Sequence, residues 1–147
     1  MRLFRHRLEL ILWVWITLVS QAWGQGQREE ILLSAEERET VLFRMRELLR
    51  SVSLILDGTQ TGDFVQIAKA GRNAGLTGGA HMPPSVQPKH PMAFRQLAQA
   101  THRTFDDIAA QAEQSRDSDQ ILRLLSANLQ RCVACHAAYG VRSDCSK

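Results

Sequence analysis

Two of the three cysteines in this chain lie three residues apart near its C-terminus, in the stretch QRCVACHAAYG at residues 130–140. Cys132 and Cys135 are followed at once by His136. This Cys-x-x-Cys-His spacing is the attachment signature of a c-type haem. It predicts one covalently bound haem c, held through Cys132 and Cys135, with His136 as the proximal ligand of the iron.

Three other uses of these cysteines were weighed. A disulfide is common in exported proteins, but an odd number of cysteines leaves one unpaired. A structural zinc site needs four ligands from two knuckles, and here there is one knuckle, with Cys145 ten residues beyond it. A thioredoxin-type dithiol needs alternating strands and helices around it, and the sequence does not predict them. Haem attachment is therefore the favoured interpretation, and Cys145 is assigned no role.

The first 24 residues have the pattern of a cleaved secretory signal. A basic segment with three arginines precedes ten apolar residues at positions 10–19, and small residues follow at Ala22 and Gly24. As a helix, ten residues cover about 15 Å, which is half of a bilayer core of about 30 Å. We therefore expect cleavage before Gln25, a mature domain over residues 25–147, and export to the periplasm.

The basic character of the chain belongs mainly to this signal. The whole chain carries 18 basic and 15 acidic residues, and the part after residue 24 carries 15 and 14, which lowers the net charge from +3 to +1. A nearly neutral domain has no electrostatic footprint for nucleic acid or for an anionic membrane. We expect membrane contact only through the signal before cleavage.

The mature chain has the periodicity of four amphipathic helices. They are predicted at residues 34–56, 63–75, 91–114 and 120–140, and the first begins with Ser34 and Glu37 at capping-box spacing. A stretch rich in proline and glycine separates the second from the third. The predicted fold class is all-α, an antiparallel four-helix bundle with the haem near the C-terminal end of the last helix. On that helix Cys132, Cys135 and His136 share one face.

A signal peptide, a four-helix domain and CVACHAAY at the end of the last helix resemble the cytochrome c′ family, including its low-spin relatives. The resemblance covers residues 34–142. In the family a basic residue usually follows the aromatic residue after the haem motif, whereas Gly140 follows Tyr139 here. This departure predicts an early end of the last helix.

The resemblance implies that the sixth position of the iron decides the function. Low-spin members place a methionine of the first helix there, and Met45 is the residue nearest that register. The expected function is single-electron transfer with a redox partner protein, without enzymatic activity. The alternative is a five-coordinate haem that binds nitric oxide or carbon monoxide, with Leu42, Leu48 or Leu49 facing the iron.

The resemblance further implies that a homodimer can form through the first two helices. Five other histidine and methionine side chains were weighed as iron ligands and were not favoured. His81, His90 and Met82 lie in the loop rich in proline and glycine, Met92 lies at its end, and His102 borders the apolar face of the third helix.

Overall fold

A computed structural model describes residues 28–78 and 82–144 of the chain. The helices are α1 (Ala35–Thr61), α2 (Phe64–Ala74), α3 (Met92–Gln114) and α4 (Ser118–Ala138), with a 3-10 turn at Gln87–Lys89. The strands are β1 (Glu29–Leu33) and β2 (Tyr139–Ser143). The mostly helical prediction is confirmed. The predicted signal and Cys145 lie outside the described residues, and no helix within them is both long and apolar enough to cross a bilayer.

The helix starts follow from local capping. The Ser34 hydroxyl accepts a hydrogen bond from the Glu37 amide at 3.2 Å, and the Glu37 carboxylate accepts one from the Ser34 amide at 2.8 Å. This is the reciprocal capping box that the sequence predicted. Asp63 and Asp117 cap α2 and α4 by accepting bonds from backbone amides three residues on. These bonds satisfy amides that have no partner inside their own helices.

Helix α1 continues past the end that the sequence predicted. The sequence predicts an end at residue 56, before the stretch DGTQTG, but Gly58 of that stretch lies inside α1 and is buried. A Cβ atom on Gly58 would come within 2.6 Å of Ile67 Cγ1, so the missing side chain lets α1 approach α2 closely. The helix ends instead at Gly62, whose φ of 73° is the left-handed conformation typical of a C-terminal cap.

A two-stranded parallel sheet corrects the all-α prediction. Strand β1 pairs with β2 in a register that sets Glu29 against Tyr139 and Leu33 against Ser143. The first two residues of β2, Tyr139 and Gly140, fall within the predicted last helix, which ends at Ala138 instead. The alternation of β1 is that of a half-buried strand, because Ile31 and Leu33 are buried and Leu32 is exposed.

The buried side chains form two clusters. The first core lies among all four helices and consists of Val52, Ile55, Ile67, Ala70, Ala74, Phe105, Ile108, Ala112, Ile121 and Leu125. The second core consists of Ile31, Leu33, Val41, Val86 and Phe94. Met45, Met82, Ala98, Cys135, Tyr139 and Val141 pack against the second core. The second core therefore joins β1, the start of α1, the start of α3 and the end of α4.

The helices touch one another unequally. Helix α2 packs extensively on α1 and α3, and α3 packs extensively on α4. Helices α1 and α4 are also neighbours, but they share far fewer contacts. Consequently, the side of the fold between α1 and α4 is the least closed.

Candidate cofactor-attachment site

The Cys-x-x-Cys-His motif occupies the last two turns of α4. Both thiols are free and partly buried, and His136 is exposed. Cys135 packs against the second core. The structure therefore places the motif on a helix, as predicted, at the end of the fold where the second core lies.

Burial raises the pKa of both thiols. For Cys132 the nearby charge of Arg131 acts in the opposite direction, and for Cys135 the neighbouring Cys132 adds to the effect of burial. A reactive dithiol normally has at least one cysteine whose pKa is lowered. This pair has the opposite shift, so it does not have the electrostatics of a redox dithiol.

A buried polar network fixes the rotation of α4 against α3. Asn128 is 1% exposed, and its amide nitrogen donates to the Thr101 carbonyl at 3.3 Å. Arg131 donates to the Thr104 hydroxyl at 3.0 Å and to the Asn128 side-chain oxygen at 3.3 Å. These bonds mark the side of α4 that faces α3, one residue before the haem motif begins.

On its other side, α4 carries uncovered apolar side chains, here called the α4 flank: Leu122, Leu129 and Val133. At 100° per residue, the flank lies roughly 100–180° round the helix from Asn128 and Arg131. His136 follows Leu129 by one heptad and shares this side. Thus His136 stands at the end of an apolar stripe that points away from α3.

Helix α1 carries a matching stripe, the α1 flank: Leu42, Leu49 and Leu56. These residues follow one another at heptad spacing, and Leu49 is 69% exposed. They lie roughly half a turn round the helix from Gly58, which faces α2. The α1 flank therefore points away from α2, just as the α4 flank points away from α3.

Met45 lies between the α1 flank and the buried face of its helix. Its side chain is partly buried and packs against the second core, which Cys135 also borders. The structure therefore brings the predicted distal residue to the same cluster as Cys135 of the Cys-x-x-Cys-His motif. Met82 packs against this cluster as well, whereas Met92 is 65% exposed.

The remaining histidines have separate environments. His102 is partly buried, and its Nδ1 lies 2.6 Å from the carbonyl oxygen of Ala74 at the end of α2. His90, which the sequence places in the loop rich in proline and glycine, is buried, with 8% of its surface exposed. No periodic pattern surrounds His90, so its burial had no signal in the sequence. His81 lies outside the described residues.

Two arginine side chains, one just before β1 and one in the first turn of α1, lie near the end of α4 and near β2. Arg28 Nη1 lies 3.5 Å from the carbonyl oxygen of His136, and Arg38 Nε lies 3.5 Å from that of Val141. The sequence carries no local signal that Arg28 lies near the motif, because only the pairing of β1 with β2 brings it there. Position 140, where the resembling family has a basic residue, instead lies against the carboxylate of Glu30.

Within the described part of the chain, no three His, Cys, Asp or Glu side chains form a group that could hold a metal ion. No protein-family model matches the chain, and no curated protein or solved structure is significantly similar to it. The cytochrome c′ resemblance therefore stays a prediction that rests on the residues themselves.

Proposed function

We propose that this protein is an exported, periplasmic monohaem c-type cytochrome that transfers single electrons and is not an enzyme. One observation carries the proposal. The Cys-x-x-Cys-His motif ends an uncovered apolar stripe of α4, and its Cys135 packs against the same second core as Met45. A large, flat, apolar cofactor attached at the motif would cover such surface, which otherwise stays in water at a cost proportional to its area.

The donor set fits a haem c. Cys132 and Cys135 would each add an S–H group across a vinyl C=C bond, with sulfur bonding one carbon and hydrogen the other. The addition needs no oxidant. Burial raises the pKa of both groups, so they stay in the thiol form that carries the S–H bond used in this addition. His136, exposed and on the flank side of α4, would provide a nitrogen ligand.

The second core supports the antiparallel arrangement of the bundle. It joins the start of α1 and the start of α3 to the end of α4. Helices that begin where another one ends run in opposite directions, as in an up-down bundle. In that arrangement the first half of α1, which contains Met45, runs alongside the second half of α4, which contains the motif.

The sixth ligand determines what the protein does. A bound haem supplies a one-electron iron couple, and a thioether ligand raises its potential. Met45 would complete the coordination of the iron and exclude external ligands. Its partly buried position beside the second core suits this role.

A second candidate function is the binding of nitric oxide or carbon monoxide. The observation that favours it is the leucine stripe beside Met45, since Leu42 and Leu49 precede and follow Met45 by three and four residues and so lie on the same side of α1. A five-coordinate iron facing these leucines would admit only small uncharged gases. The optical spectrum of the protein distinguishes this function from electron transfer.

The test has two parts. Haem-peroxidase staining of the exported protein on a denaturing gel shows whether haem is covalently attached, and an optical spectrum of the native protein shows how its iron is ligated. We expect a stained band, a low-spin ferric spectrum with the weak absorption of thioether ligation, and no response of the ferrous form to carbon monoxide. Met45→Leu is expected to remove the thioether absorption. Met92→Leu is the matched control, because that methionine is largely exposed.

Each other outcome has a definite meaning. No stained band would overturn haem attachment. A stained band with a high-spin spectrum that shifts on adding carbon monoxide would move the protein to gas binding. Loss of the thioether absorption in Met92→Leu and not in Met45→Leu would reassign the ligand.

A further inference from the structure

His90 is a buried histidine with an unused nitrogen. The residue is 8% exposed, and its Nε2 atom has no hydrogen-bond partner among the residues that the structure describes. Buried polar atoms without a partner are rare in native proteins, and each needs an explanation such as a bound group or a redox role. The Nε2 atom is therefore not committed to a bond with another described residue.

The local structure holds His90 in place. It directly follows the 3-10 turn Gln87–Lys89, whose Lys89 ammonium bonds the Glu37 carboxylate at the start of α1. Val86, just before the turn, is fully buried in the second core. Because Val86 and Lys89 hold the two ends of the turn, the position of the His90 imidazole is fixed before any ligand binds.

A chain of aromatic rings connects His90 to the end of α4. The imidazole lies 4.4 Å from the ring centroid of Phe94, and the Phe94 ring meets Tyr139 edge-on at 5.4 Å. Tyr139 follows His136 by three residues and packs against the second core, as do Met45 and Cys135. His90 is thus at the end of the fold where the haem motif and the proposed methionine ligand lie.

The charge state suits a ligand. Burial, and to a smaller extent the charge of Arg95, lowers the pKa of His90. The ring is therefore neutral at physiological pH, and neutral imidazole is the form that binds metals. A protonated ring would have no lone pair to offer.

We propose that His90 is a second internal ligand for the haem iron, able to occupy the sixth position when the Met45 thioether is absent. This inference rests on the proposed haem attachment. It makes the second core a site with two alternative donors, a thioether from α1 and an imidazole from the turn before α3. Exchange of the thioether for the imidazole would lower the reduction potential.

The experiment compares spectra of the full exported protein carrying Met45→Leu, His90→Phe or both changes. His90→Phe keeps a ring against Phe94, and His90→Gln serves as a second variant in case the first fails to fold. We expect His90→Phe alone to keep the thioether absorption. Met45→Leu alone should lose that absorption, stay low-spin, ignore carbon monoxide and have a lower potential. The double variant should become high-spin and bind carbon monoxide.

His102→Gln, combined with Met45→Leu, is the control, because His102 lies at the end of α2. That combination should behave as Met45→Leu does. If Met45→Leu alone is high-spin and matches the double variant, His90 is not a ligand and its nitrogen serves a water molecule or a haem propionate. That result would overturn this inference while the stained band upholds haem attachment, whereas loss of the band overturns both.

Discussion

Gly71 in helix α2 lies directly against the backbone of Phe105 in helix α3. A Cβ atom at Gly71 would come within 2.7 Å of the Phe105 carbonyl oxygen and within 3.0 Å of the Ala109 amide nitrogen. Both atoms belong to the main chain of α3, so they cannot move aside without shifting the helix. This approach seats α2 on α3 and closes the first core.

Gly71→Ala is therefore expected to destabilise the fold. An exposed helical Gly→Ala change gains up to about 1 kcal/mol from helix propensity, but overpacking costs about 1–3 kcal/mol. We expect a net loss that chemical denaturation can measure. Asn73→Ala, at an exposed position of the same helix, is the control and should be neutral or slightly stabilising. A Gly71→Ala protein as stable as this control would contradict the close approach.

Asn128→Ala should weaken the contact between α3 and α4. The change removes the bond to the Thr101 carbonyl and leaves Arg131 without one of its acceptors. Leaving buried groups unpaired costs about 1–3 kcal/mol. The measurement is the free energy of unfolding, with Ser126→Ala at an exposed position of the same helix as control. Equal stability of the two variants would show that the network does not hold α4.

Glu37 links stability to pH. The pKa of its carboxyl group is lowered from 4.5 to about 2. The hydrogen bond with Lys89 is the largest cause, and the hydrogen bond with the Ser34 amide is the second. Above pH 4.5 the carboxylate is ionised in both the folded and the unfolded chain, so this contribution is complete. As the pH falls from 4.5 towards 2, the unfolded chain binds a proton that the folded chain does not, and the contribution is lost.

Lys89→Met should therefore reduce the fall in melting temperature between pH 4.5 and pH 2, because it removes the main cause of the lowered pKa. Melting curves across that range give the test. Lys69→Met changes an exposed lysine of α2 and is the matched control, which should melt like the unchanged protein. A pH dependence of Lys89→Met that equals the control would rule out this linkage.

Gly140→Arg is expected to be tolerated. A Cβ atom there would come within 2.9 Å of the Glu30 carboxylate, but that group is the far end of a flexible, exposed side chain that can turn away. The new guanidinium can pair with the same carboxylate, and an exposed pair contributes at most about 1 kcal/mol. We expect a melting temperature close to that of the unchanged protein. A loss as large as that of Gly71→Ala would mean that Gly140 is needed for the pairing of β1 with β2.

Much of the fold was predictable because it depends on neighbours in the chain. The Ser34 and Glu37 capping box and the apolar periodicity of the helices use contacts within one or two turns. The predicted end of α1 at residue 56 was wrong, because the helix continues through Gly58. It is helical because α2 needs the space, and tertiary packing overrides propensity in such cases.

The sheet had no local signal. Strand β1 is a short run of five residues, and its partner β2 continues directly from α4 at the other end of the chain. Hydrogen bonds between distant segments form only once the helices have brought them together. For the same reason, the position of Arg28 near His136 was not predictable.

The sequence by itself determined the chemistry of the candidate site, because Cys132, Cys135 and His136 share a helix face through their spacing alone. Only the tertiary structure decided what surrounds them. Apolar side chains of α4 stay exposed beside the motif, the second core collects Met45, and buried His90 packs on Phe94 of that core. Spacing fixes directions within one helix, whereas burial and proximity depend on how separate helices pack.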